Sequence, residues 1–191
     1  MFYSLFNEAK AAEAVAFLLD KSGGSMEVLK LMKLVYLVER QSYAQYGEPI
    51  IGDVAYSFEH GPVLSKVFNL ARADSEVHSQ KWSAYVAPST DRHVSLKKLD
   101  GFSEDNLLNL SDSDLEILNA IWAEFGHMSA KELRDYTHKL PEYEEPAPGR
   151  RSLINQVKLF KAVGLSEKQA HKQIDGLRAH NRARAVFKQS A

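Results

Sequence analysis

Apolar residues recur at spacings of three and four along most of the chain, a pattern that predicts helices rather than strands. The first helix is expected to start after Asn7, whose side chain can cap it, and to run to about Lys21. Its buried face would consist of Ala11, Val15, Leu18 and Leu19. Gly23 and Gly24 are expected to end it, because glycine readily adopts the left-handed conformation that follows many helices.

A second helix is predicted to form the centre of the fold. Ser25 can cap it, and the segment Leu29–Val38 is apolar on nearly every side, as in a helix surrounded by other elements. Lys30 and Lys33 are the charged residues of that segment, and their amino groups are expected to reach water. Gly47 is expected to end the helix.

Short β-prone runs predict a small sheet beside the helices. Asp53–Phe58 is one such run, and Pro62, which follows it, fits the first turn of a helix expected over Val63–Ala71. The runs Trp82–Ala87 and His93–Lys97 alternate apolar and polar residues on either side of a turn-forming segment. They predict a β-hairpin.

Three capping boxes predict where the later helices begin. In each box a serine and a residue three positions later satisfy free backbone amides of one another. The pairs are Ser111 with Asp114, Ser129 with Glu132, and Ser166 with Gln169. Taken together, the pattern predicts a mainly α protein with a small β element (α+β), a compact helical domain built around a central apolar helix with a β-hairpin.

Composition narrows the class of protein. The chain has 191 residues, of which 45% are hydrophobic, enough for one domain with a substantial core. It has no cysteine, which excludes disulfides and thiolate metal sites. The longest apolar run, Ala14–Leu19, has six residues, whereas a membrane-spanning helix needs about 20. The first residues do not resemble a signal peptide, so a cytoplasmic protein without a membrane partner is expected.

The charge changes sign along the chain although it nearly balances overall. The net charge is −1, but residues 150–191 carry ten Lys and Arg and two acids, against 14 cations and 23 anions in residues 1–149. The stretch 141–149, with its three prolines, separates the two parts. We therefore predict an acidic domain, residues 1–148, followed by a basic helical C-terminal arm, residues 149–191.

The C-terminal arm offers a candidate basic surface for a partner. Its cations near the chain end are Arg178, Arg182, Arg184 and Lys188. They can face phosphates or an acidic protein. Alternatively they form a solvated helix end, where cations interact favourably with the helix dipole.

Motifs that would indicate an enzyme are missing. The chain has no phosphate-binding loop, dinucleotide fingerprint, HExxH motif or GxSxG elbow. His60 and His138 fit structural hydrogen bonds better than catalytic roles, and the acidic stretch Glu142–Glu145 fits a solvated loop better than a metal site. We expect no catalytic residue, metal or cofactor. A hydrolase stays the third possibility, because a dispersed catalytic triad is recognised by geometry and not by sequence.

Several short motifs, in order and with compatible spacing, resemble a known family. They are Leu31–Tyr36, Tyr46–Ile50, His60–Val63, Val67–Phe68, and the block Ser129–His138 with Tyr143 downstream. Together they resemble the Panacea domain, also called the SocA-like antitoxin domain, over residues 5 to about 148.

The resemblance implies a mostly helical, non-enzymatic antitoxin, encoded beside a small toxin or in a prophage, that neutralises its cognate toxin by binding it. One branch of the family is similar to a proteolytic adaptor, which adds a protease as a partner, and a homo-oligomer is compatible with either role. The residues to which the resemblance gives a structural or partner-binding role are Lys33, Tyr36, Tyr46, Gly47, His60, Gly61, Pro62, Val63 and His138.

A nucleic-acid-binding regulator, as found in prophages, is the alternative. In that interpretation the predicted hairpin from Trp82 to Lys97 acts as a wing, and the C-terminal arm follows the phosphate backbone of DNA. Salt-dependent binding to arbitrary duplex DNA would distinguish this class from a protein-binding antitoxin.

Overall fold

A computed structural model describes residues 5–72, 80–97 and 103–189. The helices in these ranges are α1 (Glu8–Lys21), α2 (Val28–Tyr46), α3 (Ser65–Ala71), α4 (Gln80–Tyr85), α5 (Asp112–Phe125), α6 (Ala130–Thr137), α7 (Gln156–Ala162) and α8 (Glu167–Gln189). The strands are β1 (Ser25–Glu27), β2 (Ala55–Phe58), β3 (Gly61–Leu64), β4 (His93–Ser95) and β5 (Ser152–Leu153). The fold is mainly α with a small β element, which confirms the predicted class.

Helix α2 is the central helix, as predicted. Every residue of Leu31–Glu39 is buried, and the helix contacts α1, α5, α6, α7 and β3. Two details of the prediction are wrong. Ser25 does not cap α2 but lies in β1, and the N-cap position is Glu27, which makes no side-chain capping bond. Lys33 does not reach water but is fully buried, because β3 and α6 cover its side of the helix.

Local capping signals are confirmed at the other long helices. The Asn7 side chain accepts the Lys10 amide at the start of α1. The boxes beginning at Ser111 and Ser129 are complete, with both reciprocal hydrogen bonds formed. Ser166 and Gln169 form the same pair of bonds before α8. These contacts span three residues, so they require no partner distant in the sequence.

The larger sheet is built on a tight hairpin. Strands β2 and β3 are antiparallel, with Phe58 opposite Gly61, and β5 pairs with the other edge of β2. Pro62 therefore lies in a strand, not in the first turn of a helix as predicted. Strand β3 is an edge strand, where a residue without an N–H is tolerated. Helix α3 starts later, at Ser65.

A distant carboxylate determines where α3 starts. Oδ2 of Asp53 accepts the amides of Lys66 and Val67 at 2.7 and 3.0 Å. Two of the free N–H groups of the first helical turn are thus satisfied from the loop before β2. This capping contact spans more than a dozen residues, which local sequence patterns do not reveal.

The predicted hairpin from Trp82 to Lys97 is wrong in its first strand, although Val86 and Leu96 form an antiparallel bridge between its two halves. Its first half is helix α4, which packs on α1 and buries Trp82. In its second half, β4 forms its strand pairing with β1. A run of six residues fits the hydrophobic period of a strand as well as that of a helix. The burial of the Trp82 side chain where α4 packs on α1 favours the helix.

The C-terminal segments return to the rest of the fold. Phe160 of α7 is fully buried and packs edge-on against Tyr43 of α2, with ring centroids 5.1 Å apart. Helix α8 buries Ala170, Ile174 and Leu177, each of which is at most 8% exposed. No helix in the described ranges is both long and apolar enough to cross a membrane.

Candidate functional site

The site is built around the amino group of Lys33 in the middle of α2. Its Nζ donates a hydrogen bond to the carbonyl oxygen of Pro62 at 2.8 Å, and the whole side chain is buried. Burial lowers the pKa of Lys33 to about 7, because a charged ammonium loses its hydration there. The central helix is thereby tied to strand β3 by a group that titrates near neutrality.

Gly61 allows three elements to meet at this point. Its φ of +93° lies in the region that favours glycine, and a Cβ there would lie 3.0 Å from Lys33 Nζ and from Thr137 Oγ1. The same Cβ would lie 3.1 Å from Cδ2 of His138. Any side chain at position 61 would therefore require the side chains of Lys33, Thr137 or His138 to shift.

His138 follows α6 and faces the hairpin. Its ring stacks on Tyr143 with centroids 4.5 Å apart, and the Tyr143 hydroxyl donates to the Phe58 carbonyl at 2.9 Å. Its Nε2 is buried without a hydrogen bond within the described part of the chain. Burial first, and then the charge of Lys33, lower the pKa of His138. Lys33, Gly61, Thr137, His138 and Tyr143 are called the motif cluster below.

A buried ionic network continues along the same face of α2. Oε1 of Glu142 accepts hydrogen bonds from the Tyr36 hydroxyl at 2.9 Å and from Nε of Arg40 at 2.7 Å. Burial raises the pKa of Tyr36 well above its ordinary value, and the Glu142 charge adds to this. Glu142 is 1% exposed, so the prediction of a solvated acidic loop is wrong for this residue. Glu144 and Glu145 are exposed, as predicted.

Above the motif cluster lies an open groove with a cavity volume of about 950 Å³. Four arginines line it, and two glutamates lie among them. These residues are Arg72, Arg92, Arg150, Arg151, Glu27 and Glu59. Phe58, Val63 and Phe68 contribute apolar surface, and Lys33 belongs to the same lining. We call this feature the arginine groove.

The structure brings together some of the predicted motif residues and separates others. Lys33, Gly61, Pro62 and His138 meet at the motif cluster. Val63 is buried beside them, and His60 is exposed at the arginine groove. Tyr36 lies in the adjacent network with Glu142.

Tyr46 and Gly47 lie at the other end of α2. Tyr46 lies thirteen positions after Lys33 on the helix, an axial distance of about 20 Å. Tyr46 is 47% exposed. Gly47 ends the helix at a φ of +72°, as predicted for a C-terminal glycine, and its carbonyl accepts a 2.7 Å hydrogen bond from the Gln173 side chain of α8.

The candidate basic surface of the C-terminal arm lies along α8. Arg178 pairs with Asp175 at 3.3 Å and lines a smaller cavity of about 340 Å³ between α2, β2 and α8. Arg182 is exposed. The side chains of Arg184 and Lys188 lie outside the described residues.

Sequence patterns did not single out the arginines of the groove. Arg150 and Arg151 were counted in the charge of the C-terminal arm, but Arg72 and Arg92 stand in segments with no basic pattern. They become neighbours only through tertiary folding. Among the described residues, no group of three or more His, Asp or Glu side chains is arranged to hold a metal ion.

Comparison with known protein families gives a match. The sequence model of a family described as "Antitoxin SocA-like, Panacea domain" matches residues 31–143, which include every member of the motif cluster. No curated protein and no solved structure matches the chain.

Proposed function

The chain belongs to the antitoxin SocA-like, Panacea domain family, and we propose from this membership that it is an antitoxin that neutralises a cognate toxin protein by binding it directly. The family match over more than half of the chain is the observation that carries the proposal. Neutralisation then requires a surface complementary to the toxin and no bond-making chemistry by this chain.

The geometry of the motif cluster supports binding over catalysis. Lys33 is directed at a backbone carbonyl inside the protein, and His138 stacks on Tyr143 with its Nε2 buried. Groups used as a nucleophile or a general base must reach a substrate atom within hydrogen-bond distance. The cluster instead sets the angle between α2, α6 and the β2–β3 hairpin, and so shapes the arginine groove above it.

Delivery of the toxin to a protease is the finer form of this proposal, and it rests on the resemblance of one family branch to a proteolytic adaptor. The alternative of a nucleic-acid-binding regulator loses one of its supports. Residues 82–85 form part of α4 and not the first strand of a wing.

The direct test is co-expression of the full chain with the small protein encoded next to it. The expected result is that growth inhibition by that protein is relieved and that the two proteins purify together. If the half-life of the toxin shortens only when this chain is present, the chain acts as a proteolytic adaptor.

The contrary result is equally clear. The chain would be a nucleic-acid-binding regulator and not an antitoxin if three results occur together. Growth inhibition is not relieved, the two proteins do not purify together, and the chain binds duplex DNA with an affinity that falls steeply with salt.

A further inference from the structure

The arginine groove combines residues of the acidic part of the chain with the start of its basic C-terminal arm. Residues 1–149 carry 14 cations and 23 anions. Arg72 and Arg92 of these residues nevertheless join Arg150 and Arg151 of the C-terminal arm, so the lining of the groove contains four arginines and two glutamates. This excess of positive charge would attract an anionic segment of a partner.

The walls of the groove are held in place before any partner arrives. The guanidinium of Arg72 lies over the Phe68 ring at 5.2 Å, and that of Arg151 lies over the Tyr56 ring at 4.7 Å. Arg151 also precedes β5, which pairs with β2. Side chains that are already ordered lose less entropy on binding, so more of the contact energy is available for affinity.

Arg92 is held by its backbone. It has a φ of +63°, and its carbonyl accepts the amide of Val28 at 2.8 Å at the start of α2. Asp91 before it also has a positive φ, of 49°. Positive φ values at residues other than glycine are uncommon, and they persist where the surrounding structure imposes them. The turn thus presents Arg92 to the groove in a defined position.

The lining favours a protein segment over a nucleic acid. Glu27 and Glu59 interrupt the positive charge, which would repel an unbroken row of phosphates. A peptide can instead place carboxylates opposite the arginines and amides opposite the glutamates. Half-buried Phe58 and Phe68, whose rings lie 5.8 Å apart, add apolar surface on which an apolar side chain can pack.

We propose that the arginine groove binds an acidic, extended segment of the partner protein, with its carboxylates paired to the arginines and an apolar side chain packed on Phe58 and Phe68. The proposal rests on the proposed function for the identity of the partner, and it adds the surface and the chemistry of the bound segment. Arginine suits this role because its planar fork matches a carboxylate with two parallel hydrogen bonds.

The test compares two doubly charge-reversed variants of the full chain. R92E/R150E changes the groove at two exposed positions, whereas the control K168E/K172E makes the same charge change at two exposed positions on α8, outside the groove. Thermal unfolding of both variants checks that they are folded, and R92Q/R150Q replaces the first variant if it is not.

Two probes are used for each variant, by fluorescence anisotropy. One is a labelled synthetic peptide of alternating Glu and Leu, and the other is the toxin encoded by the neighbouring gene. R92E/R150E is expected to weaken binding by about 100-fold or more, because each reversed charge faces a carboxylate. The control is expected to change affinity by less than about 3-fold, which is typical of a distant surface charge.

The outcomes separate this proposal from the proposed function. Toxin binding that both variants retain equally would overturn the groove as the site and leave the antitoxin function standing. Peptide binding that only R92E/R150E loses would support the groove even if the toxin does not bind at all. The proposal would be overturned if neither probe binds the original chain, or if duplex DNA displaces the peptide from the groove.

Discussion

At the scale of single residues, Lys33 has a defined effect on stability. Its pKa is about 7 in the folded protein and 10.5 when exposed. Between these values the unfolded chain holds a proton that the folded chain has released, so the free energy of unfolding rises with pH from about 7 to 10.5. We expect K33M to abolish this rise, measured as the urea midpoint from neutral to alkaline pH. K30M, half-buried one turn earlier, is the control and should keep it.

Glu39 has the opposite effect at lower pH. Its carboxylate is buried and accepts the amides of Ile50, Ile51 and Gly52 at 2.6 to 3.0 Å. Burial, the largest cause, raises its pKa from 4.5 to about 7. The folded chain therefore holds an extra proton between these values, and stability falls as pH rises through them.

We expect E39Q to remove this fall in stability. The variant should also lose about 1–3 kcal/mol at alkaline pH, because an amide cannot accept hydrogen bonds on both sides. Chemical unfolding from pH 4.5 to 8 measures both effects. The control is E48Q, because Glu48 is exposed and close in sequence to the amides that Glu39 accepts. Its stability should vary with pH as that of the original chain does. An unchanged slope in E39Q would assign the pH dependence to other groups.

At the scale of elements, the β2–β3 hairpin depends on the close approach at Gly61. G61A should destabilise the protein by about 1–3 kcal/mol for the strained φ and by a further amount for displacing Lys33 and Thr137. Gly149 is a matched control, since its φ is +69° but a Cβ there would meet nothing within 4 Å. Calorimetry of G61A and G149A should show the larger loss for G61A. Equal losses of stability in the two variants would mean that the side chains around Gly61 move aside without destabilising the protein.

Helix α2 should dominate the stability of the fold. Leu34 is fully buried on it, and L34A should cost about 2–5 kcal/mol through lost burial and the cavity left behind. L108A makes the same change at a position 85% exposed, where the effect should stay within about 0.5 kcal/mol. Denaturant midpoints measure both. A midpoint unchanged by L34A would exclude the helix from the core.

At the scale of the whole molecule, the C-terminal arm and the rest of the chain should unfold together. Phe160 packs on Tyr43, and β5 extends the sheet of β2. F160A should therefore shift the midpoint of a single transition, by about 3–5 kcal/mol in free energy. Hydrogen exchange should show that α2 and α7 lose protection in parallel. Loss confined to α7 and α8 would instead support an arm that folds independently.

The sequence alone determined the features that depend on near neighbours. The start of α1, the capping boxes of α5 and α6 and the end of α2 at Gly47 are contacts over three or four residues, so they form whatever surrounds them. The apolar run of α2 likewise requires burial in any compact arrangement. The family motifs could be located in the same way, because each is a short local pattern.

Tertiary structure alone decided the features that depend on partners distant in sequence. Lys33 looks like a residue that reaches water until β3 and α6 cover it. Glu142 looks like part of a solvated loop until Arg40, about a hundred residues earlier, reaches it. Arg92 and Arg151 become neighbours only when separate elements pack together. The physical reason is that burial, long-range pairing and the field of clustered charges belong to the assembled chain and have no counterpart in a local pattern.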